Sequence, residues 1–229
     1  AFQPLLKDYL TQIEGNVDGS VTVTGSLAKP IAKGALYFQN TSFNVEYLNT
    51  HYSIDGERIR VAPDWLGVDN LTLIDDRGSK ARTVGTILHT NYEDWNFDVA
   101  LEAKDFQMLN TKSHMNPDYY GTANMTGIVN IGGYADNLIM EMDLKTEEGT
   151  VFNVPLAGAE EVEVKDYITF VNPNDTTDTV QEYTVDLSGI IMNMNLEATD
   201  DAQVRLIFDE AAGDVIQARG NGNINMKID

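Results

Sequence analysis

The sequence contains no cysteine, which excludes disulfide bonds, thiol catalysis and thiolate metal sites. That absence is compatible with a bacterial periplasm or surface without proving either. Positive charge is scarce as well. The 15 Lys and Arg stand against 36 Asp and Glu, and a formal net charge of -21 opposes any approach to a phosphate backbone, so nucleic acid is not an expected partner. An anionic membrane surface would repel the chain too, so contact with lipid has to run through buried acyl chains and not through a polybasic patch. No run approaches the roughly 20 apolar residues of a membrane-spanning helix. The chain begins at Ala1 with no Met, no charged n-region and no apolar h-region, as expected of a piece of a longer protein whose membrane anchor lies elsewhere.

Motifs for chemistry are equally sparse. His51, His89 and His114 stand far apart, and none falls in an HxH, HExxH or HxxE arrangement, so no zinc site is expected. There is no GxSxG elbow and no GxxxxGK[ST] loop, and the glycines are expected at strand ends as turn residues. The carboxylates Asp75, Asp76, Asp200, Asp201, Asp209, Glu210 and Asp214 do not follow the spacing of a calcium loop, and each falls at a predicted turn, where carboxylates cap backbone and hold water. No cofactor, metal or catalytic residue is expected, and the chain reads as something other than an enzyme.

What is present is a β-rich pattern. With 42% hydrophobic residues over 229 positions the chain can bury a core, as one large all-β domain or two ordinary ones. Phe2 to Ile13 is the exception: Leu5, Leu6, Tyr9, Leu10 and Ile13 have helical spacing, between Pro4 and Gly15, and predict a short amphipathic helix over residues 1–15. From Gly19 the period becomes two. The apolar positions run Val21 and Val23; Leu71 and Leu73; Phe97, Val99 and Leu101; Met125 and Val129; Leu138, Met140, Met142 and Leu144; Met192, Met194 and Leu196; Val204, Leu206 and Phe208; Ile224, Met226 and Ile228. Polar residues alternate with them, as Asn124, Thr126 and Asn130 do around Met125 and Val129.

Turn chemistry separates the runs at Asp75-Asp76-Arg77-Gly78, Asn91-Tyr92-Glu93-Asp94, Gly132-Gly133, Glu147-Glu148-Gly149, Thr199-Asp200-Asp201 and Ala212-Gly213-Asp214. About a dozen strands in a meandering antiparallel sheet are expected. Residues 155–182 break the rhythm with an acidic and polar excursion, including a possible short helix over Val164 to Val171. Gly19 to Leu27 resembles Gly121 to Val129, which suggests repetition of one sheet unit able to extend sideways. The expected organisation is thus a helix at 1–15, a β-trough at 16–154, the excursion at 155–182 and further strands of the same trough at 183–229.

Six of the eight methionines, Met125, Met140, Met142, Met192, Met194 and Met226, share the apolar register. Two readings stay open for them: an ordinary core with Met as gap filler, and an adaptable wall for variable apolar ligands. A dozen strands of about seven residues would make a sheet of some 20 by 55 Å, which must curl. Curled into an open trough, it would gain about 0.8 kcal/mol for each acyl CH₂ it buries.

The order of several segments carries a resemblance. They are Gly19-Ser-Val-Thr-Val-Thr-Gly25-Ser-Leu-Ala-Lys-Pro30 with Gly34-Ala-Leu-Tyr-Phe, then Asp69-Asn-Leu-Thr-Leu-Ile-Asp75-Asp-Arg-Gly78, then Asp94-Trp-Asn-Phe97-Asp with Asp105-Phe-Gln-Met-Leu-Asn110 and Tyr120-Gly-Thr-Ala, and last Phe170-Val171 with Gly213-Asp-Val-Ile-Gln-Ala-Arg219-Gly-Asn-Gly222. In this order they resemble the TamB-like translocation and assembly module family of the AsmA superfamily, in its Bacteroidetes-type form, and the likeness covers most of the chain. It implies part of the C-terminal β-rich region of a periplasmic protein, anchored in the inner membrane and reaching the outer one, folded as an extended curled sheet (a β-taco, open trough or half-barrel) with a hydrophobic inside. It also implies phospholipid movement between membranes, or assembly of outer-membrane β-barrels beside an Omp85-type partner, and no catalytic residues. The final strands expected next to the membrane are missing. A passive spacer with a sealed core is the third reading.

Overall fold

The computed structural model describes residues 10–116, 119–155, 190–209 and 213–228. Among these residues there is no helix, and the strands form one 14-stranded sheet. The strands are β1 (Leu10–Ser26), β2 (Lys29–Val45), β3 (Thr50–Ile54), β4 (Arg58–Val61), β5 (Trp65–Asp75), β6 (Lys80–Thr90) and β7 (Glu93–Thr111). They continue with β8 (Tyr120–Tyr134), β9 (Asn137–Thr146), β10 (Val151–Pro155), β11 (Ile190–Ala198), β12 (Gln203–Asp209), β13 (Asp214–Arg219) and β14 (Gly222–Ile228).

Eight of these strands are halves of four broken rows. β3 and β4 lie end to end between β2 and β5. β9 and β10 lie end to end along β8, β11 and β12 along β9 and β10, and β14 and β13 along β11 and β12. The sheet is therefore ten rows in chain order, about 45 Å across at the usual strand spacing. Unbroken strands reach 17 to 19 residues in β1, β2 and β7, far beyond the seven expected from the alternation alone.

Four expectations need correction. Leu10 to Gly15 are not helical but belong to β1, where Leu10 pairs with Val45 and Thr11 with Asn44, so a ready strand partner overrides the helical spacing. Residues 1–9 lie outside the described residues. Second, the sheet is not wholly antiparallel: β9 with β11 and β10 with β12 run parallel. A parallel neighbour needs a crossover of about a dozen residues or more; the next described strand starts at Ile190, and residues 156–189 lie outside the described residues. The helix expected at Val164 to Val171 lies outside the described residues.

Third, only part of the turn chemistry reverses the chain. Asp75 to Gly78 and Asn91-Tyr92 do so, the latter with positive φ at both residues. Glu147 to Gly149 and Thr199 to Asp201 instead break rows in their middle, and Gly132-Gly133 lie inside β8. Fourth, glycines also stand within strands. A Cβ at Gly85 would lie 2.3 Å from the Asp98 carbonyl oxygen and 2.6 Å from the Val99 Cα, so only glycine lets β6 bend this close to β7.

A single layer can bury one face only by curling toward it. That face holds Ala81, Ala103, Phe106 and Ala123 at 0 to 3% exposure, whereas Ile128, at an alternate position, is 47% exposed. β3 and β7 extend past the tip of the 11-residue β5–β6 hairpin and meet, so the sheet curls there. There the Tyr52 hydroxyl donates to the Gln107 carbonyl at 2.8 Å, the Asn110 N–H donates to the Leu48 carbonyl at 2.9 Å, and the Tyr52 and Phe106 rings stack at 4.8 Å. Burial pushes the Tyr52 hydroxyl up to about 12. Asp75 closes the tip, accepting from the N–H groups of Arg77, Ser79 and Gln107 at 2.8 to 3.0 Å.

Candidate apolar binding face

The ladder register defines lines of residues running across the rows on the concave side. One line crosses all ten rows: Gly19, Leu36, Ile59, Val68, Gly85, Val99, Ile131, Met140, Met192 and the position of Ile228. A second runs Val21, Gly34, Val61, Leu66, Ile87, Phe97, Gly133, Leu138 and Ile190. A third joins Leu71, Thr83, Leu101, Val129, Met142, Met194 and Met226. A fourth joins Leu73, Ala81, Ala103, Gly127, Leu144, Leu196 and Ile224. No charged residue occurs in these four lines.

These lines bring together most of the residues singled out by alternation. Met125 pairs with Phe106 on the same side, and Val23 pairs with Ala32 one step beyond Val21. Val204 and Leu206 pair with Phe152 and Val154 of the parallel neighbour and are half-buried. Phe208 is different: it falls at a register irregularity between Ile207 and Asp209 and is 52% exposed, while Ile207 is the well-buried apolar residue of β12.

Burial along the face is uneven. Val129, Leu144 and Met125 are buried, and one apolar cluster joins them to Met140, Met142, Met194, Leu196 and Phe152, so residues on both sides of the row breaks pack together. Toward the last row exposure rises, to 43% at Ile224 and 37% at Met226, and on the first row Val23 reaches 63%. A depression of about 260 Å³ opens at the row breaks among Ala198, Ala202, Val204, Ala218 and Ile224. The larger one, about 720 Å³, lies among charged groups such as Lys80, Arg82, Glu102 and Lys104, which occupy the alternate positions of β6 and β7.

Alternation missed several of the side chains that fill the curl. Phe106 follows a bulge at Asp105, whose φ of 46° resets the alternation, and Leu109 follows a second irregularity. Tyr52, Phe43, Phe38 and Ile59 sit in the broken row and its neighbour, where the short strands β3 and β4 give too few residues to show a period. The break itself, Asp55-Gly56-Glu57, was the available signal.

His89 is buried, stacked on Tyr92 at 4.5 Å, and its Nδ1 accepts from the Tyr92 N–H at 3.2 Å. Burial holds its affinity for protons below the usual histidine range, with Asp64 acting in the opposite sense. Among the described residues no three His, Asp or Glu gather where they could hold a metal ion, and no helix is long and apolar enough to cross a membrane.

A one-layer curled sheet with a continuous apolar face and two edge rows defines a β-scaffold architecture. A sequence model of the TamB C-terminal domain matches residues 69–229, and the chain belongs to that family, a non-enzymatic component of the translocation and assembly module. Membership suggests a location in the cell envelope. Comparison with curated proteins found no match. Comparison with solved structures found none either.

Proposed function

We propose that the concave face accommodates phospholipid acyl chains and conducts them between the inner and outer membranes through the periplasm, the parent protein being an AsmA-type, inner-membrane-anchored member of a Bacteroidetes-type envelope. The observation that carries this reading is the uncharged line crossing all ten rows from Gly19 to Ile228, which keeps mostly apolar residues in register across one side of the sheet. A chain lying along it would be buried at about 0.8 kcal/mol per CH₂. The polar alternate face and the net charge of -21 keep the scaffold soluble and off anionic headgroups.

The test is equilibrium binding of a phospholipid with a fluorescent acyl chain to the purified protein. Saturable binding abolished by Leu196→Asp, in a variant that keeps its β spectrum, is expected; binding unchanged by that substitution would remove the face from the account. A second reading, assembly of outer-membrane barrels with an Omp85-type partner, draws on the edges: among the described residues β1 pairs only with β2, and β13 and β14 pair only with β12 and β11. Such edge rows suit strand addition. Phospholipid would then fail to bind while a barrel-strand peptide did.

A further inference from the structure

We infer that Met140, Met142, Met192, Met194 and Met226 form a thioether site for a soft monovalent metal ion, copper(I) in the cell with silver(I) as its redox-inert analogue. The methionines occur as two Met-x-Met pairs, and in a strand that spacing sends both side chains to one face. β9 and β11 run parallel and in register, so Met140 stands opposite Met192 and Met142 opposite Met194. Met226 of the edge strand stands opposite Met194. Neighbouring rows lie about 4.8 Å apart, within reach of flexible three-torsion side chains converging on one ion.

Five thioethers thus sit in adjoining positions of three strands; Met108 and Met125 belong to the same apolar cluster but stand on β7 and β8, and Met115 lies outside the strands. Leucine would build an equally apolar wall; what methionine adds is a soft donor atom, and soft sulfur ligands select copper(I) over the hard cations. The array is reachable from solvent, since Met226 is 37% exposed and the other four are half-buried. Thioethers are neutral, so the bound ion keeps its charge. Glu141 and Asp143 on the alternate positions of β9, within a chain of net charge -21, favour a cation there, while Glu197 is paired with Lys145. With no cysteine in the chain, the other donors for a soft ion are the three remaining methionines and three histidines. His51 is bonded to Asp76, His89 is buried, and neither lies on these strands.

The experiment titrates the whole chain anaerobically with copper(I) held by a chromophoric chelator. Withdrawal of about one ion per chain is expected. The Met142→Leu/Met194→Leu/Met226→Leu variant, which nearly conserves side-chain volume, should lose at least about tenfold in affinity, and His51→Asn/His114→Asn should bind like the parent. In parallel, silver(I) should shift the methyl resonances of these five methionines most in the unsubstituted protein and leave that of Met115 in place, a readout that does not depend on any variant folding. No withdrawal of copper, retention of affinity in the leucine variant, loss in the histidine variant, or shifts spread over all the methionines would each overturn the assignment.

Discussion

Strands β6 to β8 and strands β9, β11 and β14 carry the same lines of the apolar face but treat them differently. On the line through Ala81, Ala103 and Gly127 the side chains are small where the curl is tight, and they become Leu144, Leu196 and Ile224 as it continues. Exposure is 0% at Ala81, 3% at Ala103 and still 6% at Leu144, and reaches 43% at Ile224 on the last row. Small residues let neighbouring rows close on one another, as the absent Cβ of Gly85 does. Large flexible ones fill a wider curve without closing it. One alternating pattern thus yields a sealed stretch and an accessible stretch, and side-chain size on the concave side decides which.

Substitutions in the sealed stretch should cost most. Gly85→Val puts side-chain carbon onto the β7 backbone and is expected to destabilise by more than about 3 kcal/mol, measured by denaturant unfolding. Phe106→Ala empties the stack on Tyr52 and is expected to cost about 3 to 5 kcal/mol. Asp75→Ala leaves the N–H groups of Arg77, Ser79 and Gln107 without their acceptor, at about 3 kcal/mol. Equal losses from Met226→Ala, expected to stay within about 1 kcal/mol because the side chain is already 37% exposed, would erase the contrast.

A smaller effect belongs to pH. His89 holds protons less readily folded than unfolded, so the unfolded chain takes up more protons as pH falls through about 6.5. Stability should be full above that pH and decline below it, and His89→Gln should flatten the decline in a series of melts at graded pH.

The contrast also marks what the sequence made legible. Alternation placed Phe97 to Leu101, Met125 to Leu144 and Met192 to Leu196 on one side of the sheet, as the ladder register does, because those runs are regular. It could not follow the face through the Asp105 bulge to Phe106, since an inserted residue reverses the parity of everything after it. Nor could it separate turns that reverse the chain from those that break a row: Glu147 to Gly149 and Asp75 to Gly78 have similar chemistry, and only the partner strands distinguish them. The parallel rows were hidden for a related reason, because the long excursion marked an interruption without showing which edge the chain rejoined.

The central claim is that the accessible stretch meets apolar material, and photocrosslinking in cells tests it most directly, with the photoreactive residue placed at Met142, at Met194, or at Asn193 on the opposite face. Lipid adducts at Met142 and Met194 and none at Asn193 are the predicted result. Strong adducts to a barrel protein with no lipid at either methionine would contradict it.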